Sequence, residues 1–314
     1  MKNKSISNMF QRDVFIDTLY YYAKNDKKIL LISNDQGAIA LDSFREKIPD
    51  QFINAGISEQ NIIGIAAGLQ KEGFNCFVYS IASFIINRTI EQIKIDLCNM
   101  EIPVKIFGVG CGYSYAVDGP THHATEDIGL LNLMPGLEIY SPADSIIVKN
   151  IVSSSIKSKK PCYVRLDREL CQPIYENKRV NLLNGFDEIK KGQDYCIVAT
   201  GKIVSTAILV AKELFGFKNI GVIDLFKLKP LSQNLVKILQ NYKIIFTLEE
   251  HNEIGGLGSM LSNLILEKNL KIKLKKIAIK EDKLFGYGSR DFLQKKNNLD
   301  FKSIIKTIKK ADDF

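Results

Sequence analysis

Apolar residues along this chain switch repeatedly between two periods. Residues 11–25 place them at helical spacing, and Ile29-Leu-Leu-Ile-Ser33 is a short apolar run bounded by turn residues, which predicts a helix and then a buried strand. The alternation continues through helix 59–71, strand 75–80, helix 84–99, strand 104–109, helix 126–133, strand 137–140, helix 143–157 and strand 162–166. Strands that are apolar throughout, each traded for a helix, predict a parallel sheet covered on both faces. From Asp167 to about Lys191 the periodicity is lost, and charges and a proline take its place. It resumes with strand 195–200, helix 203–215, strand 220–224, a helix opened by Pro230 and running to 240, strand 244–248, helix 257–267, strand 271–277 and helices 290–295 and 301–310. The expected fold class is therefore α/β with two domains, 1–180 and 191–314, joined by a linker at 181–190.

Composition narrows the function classes. With 46% hydrophobic and 25% charged residues, 314 residues suffice to bury ordinary cores. No apolar run approaches the ~18 residues of a membrane span, and Met-Lys-Asn-Lys-Ser lacks the apolar core of a signal peptide, so a cytoplasmic protein is expected. The six cysteines show no Cys-x-x-Cys spacing and several lie in apolar patterns, which reads as reduced core residues and no metal site. The net charge of +8 suggests nucleic acid at first, but the lysines are scattered and no aromatic-interleaved basic stripe accompanies them, so no nucleic-acid partner is expected.

Ligands of open parallel sheets bind beyond the carboxyl ends of the strands. That rule selects Asn34-Asp35, Ser80–Phe84 and Gly110–Thr125 as rim loops. Phe52-Ile-Asn-Ala-Gly-Ile-Ser-Glu-Gln-Asn61 carries one acid, Glu59, at the start of a helix whose Ile62, Ile65, Ala66 and Leu69 must be buried. Two readings fit Glu59: a first-turn acid favoured by the helix dipole, or a carboxyl in an apolar niche that stays protonated or shares a proton with a ligand nitrogen.

The connection Gly110–Asp127 holds glycines, a proline and two of the three histidines, and a loop this long inside a compact domain is usually functional. His122 suits a contact to substrate hydroxyls or a proton shuttle, the alternative being a loop histidine bonded to backbone, which fits His123 better. As metal ligands the adjacent pair is a weak signal.

Four motifs in order then resemble one family: Gly-Ile-Ser-Glu-Gln-Asn, Asp118-Gly-Pro-Thr-His with Glu-Asp-Ile after it, Pro135-Gly-Leu-Glu-Ile-Tyr-Ser-Pro-Ala-Asp, and Glu249-Glu-His-Asn-Glu-Ile-Gly-Gly-Leu-Gly258. Over residues 10–310 the chain resembles the C-terminal half of transketolase in its split form, where two subunits share what is elsewhere one chain. The resemblance implies a pyrimidine-binding domain with a parallel sheet and a transketolase C-terminal domain with a mixed one. Thiamine diphosphate would lie between this chain and an N-terminal subunit, in a dimer of heterodimers. The partner would hold the diphosphate and a divalent metal, Mg or Ca, through a Gly-Asp-Gly…Asn motif absent here.

By the same resemblance Glu59 matches the glutamate that bonds N1′ of the aminopyrimidine and favours the tautomer able to take the thiazolium proton. Phe84 matches an aromatic that stacks on the pyrimidine, with a core phenylalanine as the alternative. Asp35 matches an acid near the thiamine site, and Ile57 would line the cofactor. Ile81 and Asn87 stand where full-length transketolases carry aromatics, so Asn87 falls at the pocket. On the substrate side His122 corresponds to a histidine near the donor hydroxyls, Asp118 to an acid reading a hydroxyl configuration, and Arg168 to an arginine on the sugar phosphate, against the alternative of a solvated arginine. Arg165, inside a strand, is expected to pair structurally, and His251 to be structural or interfacial. A further family histidine upstream of Asp-Gly-Pro is absent, so the donor pocket differs. The implied activity is transfer of a two-carbon ketol unit between sugar phosphates. A 1-deoxyxylulose-phosphate synthase, a 2-oxo acid dehydrogenase β subunit and a non-catalytic assembly subunit are the rivals.

Overall fold

The structure is a computed structural model that describes residues 6–176, 178–283 and 285–310. Among the described residues twelve strands form two sheets. The chain gives, in order, β1 (Ile29–Ser33), β2 (Phe52–Asn54), β3 (Asn75–Ile81), β4 (Lys105–Val109), β5 (Glu138–Tyr140), β6 (Cys162–Leu166), β7 (Asp187–Lys190), β8 (Tyr195–Ala199), β9 (Ile220–Asp224), β10 (Lys227–Lys229), β11 (Ile244–Asn252) and β12 (Lys273–Ile279). The first sheet has the order β10-β5-β6-β4-β3-β1-β2 and the second β12-β11-β8-β9-β7. All neighbours are parallel except β10 against β5 and β7 against β9, so each sheet is parallel with one antiparallel edge strand.

The continuous apolar runs behave as expected: every residue of β1, β4 and β6 is buried, with helices on both faces. The thiols of all six cysteines are free and buried. Several elements depart from the periodicity. β7 forms at the end of the aperiodic stretch and belongs to the second sheet. β10, only Lys-Leu-Lys, leaves the second domain and pairs with β5 of the first: Lys227 lies opposite Tyr140, and Lys227 Nζ reaches Glu138 Oε1 at 2.8 Å. The helix expected over 84–99 is broken. A short helix ends at Asn87, a turn follows at Arg88 and Thr89, and Ile93–Asn99 is wound as a π-helix. The buried Thr89 hydroxyl donates to the Ile85 carbonyl, competing with the backbone ladder where the helix stops. The helix placed at Pro230 starts instead at Gln233, capped by the Ser232 hydroxyl.

The helix Glu59–Lys71 buries Ile62, Ile63, Ala66 and Ala67, one position round from the expected face, and leaves Ile65 and Leu69 half-buried. Among the described residues no helix is long and apolar enough to cross a membrane.

Candidate active site

The rim loops converge beyond the carboxyl ends of β1, β2, β3 and β4. Gly56, at φ 69°, makes the turn after β2. Its carbonyl accepts from the Asn34 side chain at 2.9 Å and from the Asp35 backbone at 3.2 Å, tying the β1 and β2 loops together. Asp35 itself is exposed and accepts from Asn54 Nδ2 at 3.1 Å.

Glu59 is the first residue of its helix and only 6% exposed. Its Oε2 accepts from Arg88 Nη1 at 2.8 Å. The Arg88 guanidinium also lies 4.4 Å from the centroid of the half-buried Phe84 ring. An open cleft of about 610 Å³ is lined by Ile57, Glu59, Asn87 and Arg88 together with Ser58, Gln60 and Asn61. The Ile57 side chain is 81% exposed, so it faces this cleft rather than the core. A second groove, of about 400 Å³ and mostly apolar, runs between the first helix and the helix Ser145–Ser155.

From Phe84 a chain of ring contacts crosses to the histidine loop. Phe84 meets His122 edge-on at 4.9 Å, His122 meets Tyr115 at 5.8 Å, and the Arg168 guanidinium lies 4.5 Å from the Tyr115 centroid. Arg168 closes the chain on Asp118, 3.6 Å away, with both side chains nearly half exposed. His122 Nδ1 shares a hydrogen bond with Thr121 Oγ1 at 3.0 Å, leaving Nε2 to face other partners. Glu59, Phe84, Asn87, His122, Asp118 and Arg168 therefore form one continuous surface, with Asp35 linked to it through the Gly56 turn. Arg88 and Tyr115 join them unanticipated. Arg88 is the residue after the helix stop, which only the Thr89 back-bond reveals, whereas Tyr115 had a visible signal, an aromatic in a glycine-rich rim loop.

The remaining polar residues hold this surface from behind. His123 is buried, with Nε2 against the Ala116 carbonyl at 3.3 Å, and burial pushes its imidazole down. Arg165, 4% exposed, donates to Asp127 Oδ2 at 2.6 Å and to the Ala124 carbonyl, while Tyr163 donates to the same carboxylate. His251 accepts from the Gly129 amide at Nε2 and, with Nδ1 against the Asn252 carbonyl at 2.8 Å, is fixed as the Nδ1–H tautomer. Burial pushes it down to about 4, so it is neutral. Glu249, two residues before it in β11, takes the Leu257 and Gly258 amides, and burial pushes its carboxyl up to about 7.

The second domain grips the histidine loop directly. Gly112, at φ 57°, packs so close to Glu250 that a Cβ would lie 2.5 Å from its Oε2. Glu250 also accepts from the Tyr113 amide at 3.3 Å. Arg290, 9% exposed, bonds both Glu250 oxygens and both Asp167 oxygens at 2.6–3.0 Å, and Asp167 immediately precedes Arg168.

Residues 8–173 match the family described as transketolase, pyrimidine binding domain, and residues 186–304 match transketolase, C-terminal domain. The chain belongs to the transketolase family. This transketolase-family chain is 33% identical over 304 residues to an apulose-4-phosphate transketolase subunit of Phocaeicola vulgatus, covering 94% of itself and 95% of that protein. It is 30% identical to the 6-deoxy-6-sulfo-D-fructose transketolase subunit SqwH of a Clostridium species, at 94% and 92% coverage. A solved split gene transketolase, an inactive β4 tetramer, superposes with a TM-score of 0.84 at 28% identity over 97% of this chain and 98% of that one. Family membership implies use of thiamine diphosphate.

Proposed function

We propose that this chain is the C-terminal subunit of a transketolase that moves a two-carbon ketol unit from a ketose phosphate to an aldose phosphate, active only when paired with an N-terminal subunit in a dimer of heterodimers. The observation that carries the reading is the meeting, on one rim, of a buried carboxylate, an aromatic face and a histidine: Glu59, Phe84 and His122. These residues fit the pyrimidine end of thiamine diphosphate: Glu59 opens on a cleft large enough for a heterocycle, and what touches it and the Phe84 face is a side chain that is 48% exposed. When bound, the cofactor supplies the nucleophilic carbon of ketol transfer.

Glu59 holds or shares a proton at the pyrimidine N1′, and its burial keeps water from competing for that bond. Phe84 supplies the stacking face, and Ile57 and Asn87 wall the cleft, with Asp35 bracing the turn beneath. His122, beside Phe84, exchanges protons with the donor hydroxyls. Asp118 and Arg168 lie farther along the surface, where Arg168 offers a planar bidentate donor to the sugar phosphate and Asp118 reads a hydroxyl. The diphosphate and its Mg or Ca fall to the partner. That a β-only tetramer of a split-gene relative is inactive, and that the relatives are subunits, supports this division.

The complex reconstituted with the N-terminal subunit is expected to transfer ketol from xylulose 5-phosphate; carbon dioxide release from pyruvate without ketol transfer would overturn the reading in favour of a deoxyxylulose-phosphate-synthase-like enzyme. Glu59→Gln should lower turnover about 10²- to 10⁴-fold while the subunits still assemble, and an unchanged rate would mean that Glu59 carries no proton.

A further inference from the structure

Arg88 makes two contacts at once. One Nη donates to Glu59 Oε2 at 2.8 Å, and the guanidinium lies 4.4 Å from the Phe84 centroid. A planar, nitrogen-bearing group that donates to Glu59 while lying on Phe84 meets the same two demands that the proposed site makes of an aminopyrimidine. Both contacts cannot be shared, since one ring face takes one planar partner at contact distance. We infer that Arg88 occupies the pyrimidine place in the free chain and competes with the cofactor, so that it sets the affinity and rate of cofactor loading. The inference rests on the proposed function.

The surroundings permit the exchange. Arg88 follows the last residue of the helix Ala82–Asn87, and its backbone amide donates to the Phe84 carbonyl at 3.1 Å, so release is a side-chain swing and not a helix movement. It is 48% exposed, and the neighbours along the cleft, Gln60, Asn61 and Asn87, are exposed too, which leaves open solvent as its alternative position. Glu59 is different: buried and fixed at the helix start, it stays to receive whichever partner is present. The guanidinium itself is half exposed, and a ligand nitrogen that takes its place on the buried Glu59 leaves no carboxylate stranded, so the competition is reversed by ligand.

The test titrates thiamine diphosphate with Mg²⁺ into the cofactor-free complex with the N-terminal subunit, by calorimetry and by stopped-flow fluorescence, with no sugar present. Arg88→Ala should bind the cofactor about 5- to 20-fold more tightly, with a faster association rate. Arg88→Lys keeps the charge beside Glu59 but loses the planar face, and should fall between Ala and wild type. It also serves if Ala fails to assemble. Equal or weaker binding in both variants would overturn the inference, a weaker one making Arg88 a cofactor contact. Absence of cofactor binding by the wild-type complex would instead sink the proposed function, and the inference with it.

Discussion

Arginines stand on both sides of the 110–125 loop, and they are held in opposite ways. Behind the loop, Arg290 and Arg165 are almost fully buried, and each spreads its donors over several fixed acceptors, the Asp167 and Glu250 carboxylates for one and Asp127 and the Ala124 carbonyl for the other. Burial works against ionisation of Asp167, yet the Arg290 guanidinium outweighs it and holds that carboxyl below its ordinary value. In front, Arg88 and Arg168 are half exposed, and each rests on an aromatic ring beside one carboxylate. A buried guanidinium with every donor engaged cannot leave without stranding charge, so it serves as scaffold. A half-exposed one can move out into solvent, and where its carboxylate is buried, as Glu59 is, a ligand donor can take its place, which suits a binding surface.

The contrast predicts effects of very different size. Replacing Arg290 by Ala strands Asp167 and Glu250 in the interior and should destabilise the chain by about 3–5 kcal/mol in urea unfolding; a loss below about 1 kcal/mol would mean that the scaffold side is as loosely held as the front. His251 probes the same buried side through pH. Its folded value of about 4 lies below the ordinary 6.5, so the fold favours the neutral ring. The stability this adds is complete above pH 6.5 and is lost as pH falls toward 4. The margin of wild type over His251→Gln should therefore shrink by about 1.4 kcal/mol per pH unit across that window, and a margin independent of pH would show that the ring is protonated in the fold. The smallest effect on stability belongs to the front: Arg168→Ala should change unfolding free energy by less than about 0.5 kcal/mol. In the reconstituted complex it should nevertheless raise KM for a phosphorylated sugar about tenfold or more, and equal KM values would remove Arg168 from the substrate surface.

Legibility in the sequence followed the length and purity of each signal. β1, β4 and β6 were plain because a strand buried on both faces has no polar position to blur it. Glu59 and His122 stood out in the sequence, an acid opening an apolar helix and a histidine in a long rim loop, and the structure brings both to one surface through Phe84 and Arg88. β2 and β10 were not legible: each is three residues with no apolar run to mark it, and β10 owes its structure to a partner strand nearly ninety positions earlier. The break at Arg88 was hidden too. Ala82 to Asn99 is apolar enough for one helix, and a single threonine bonding back to Ile85 decides where it stops. The grip of Glu250 on Gly112 joins residues from different domains, and local pattern carries no trace of it.

The crossing of β10 has a consequence for anyone who would take the molecule apart. A fragment ending in the linker would lack the Lys227–Lys229 strand and present the outer edge of β5, with Glu138 deprived of Lys227. Such an edge is a template for intermolecular pairing. A chimera that exchanges the C-terminal domain with that of a relative would need to carry a compatible β10, because the junction that matters is woven across the two units and does not lie at the linker.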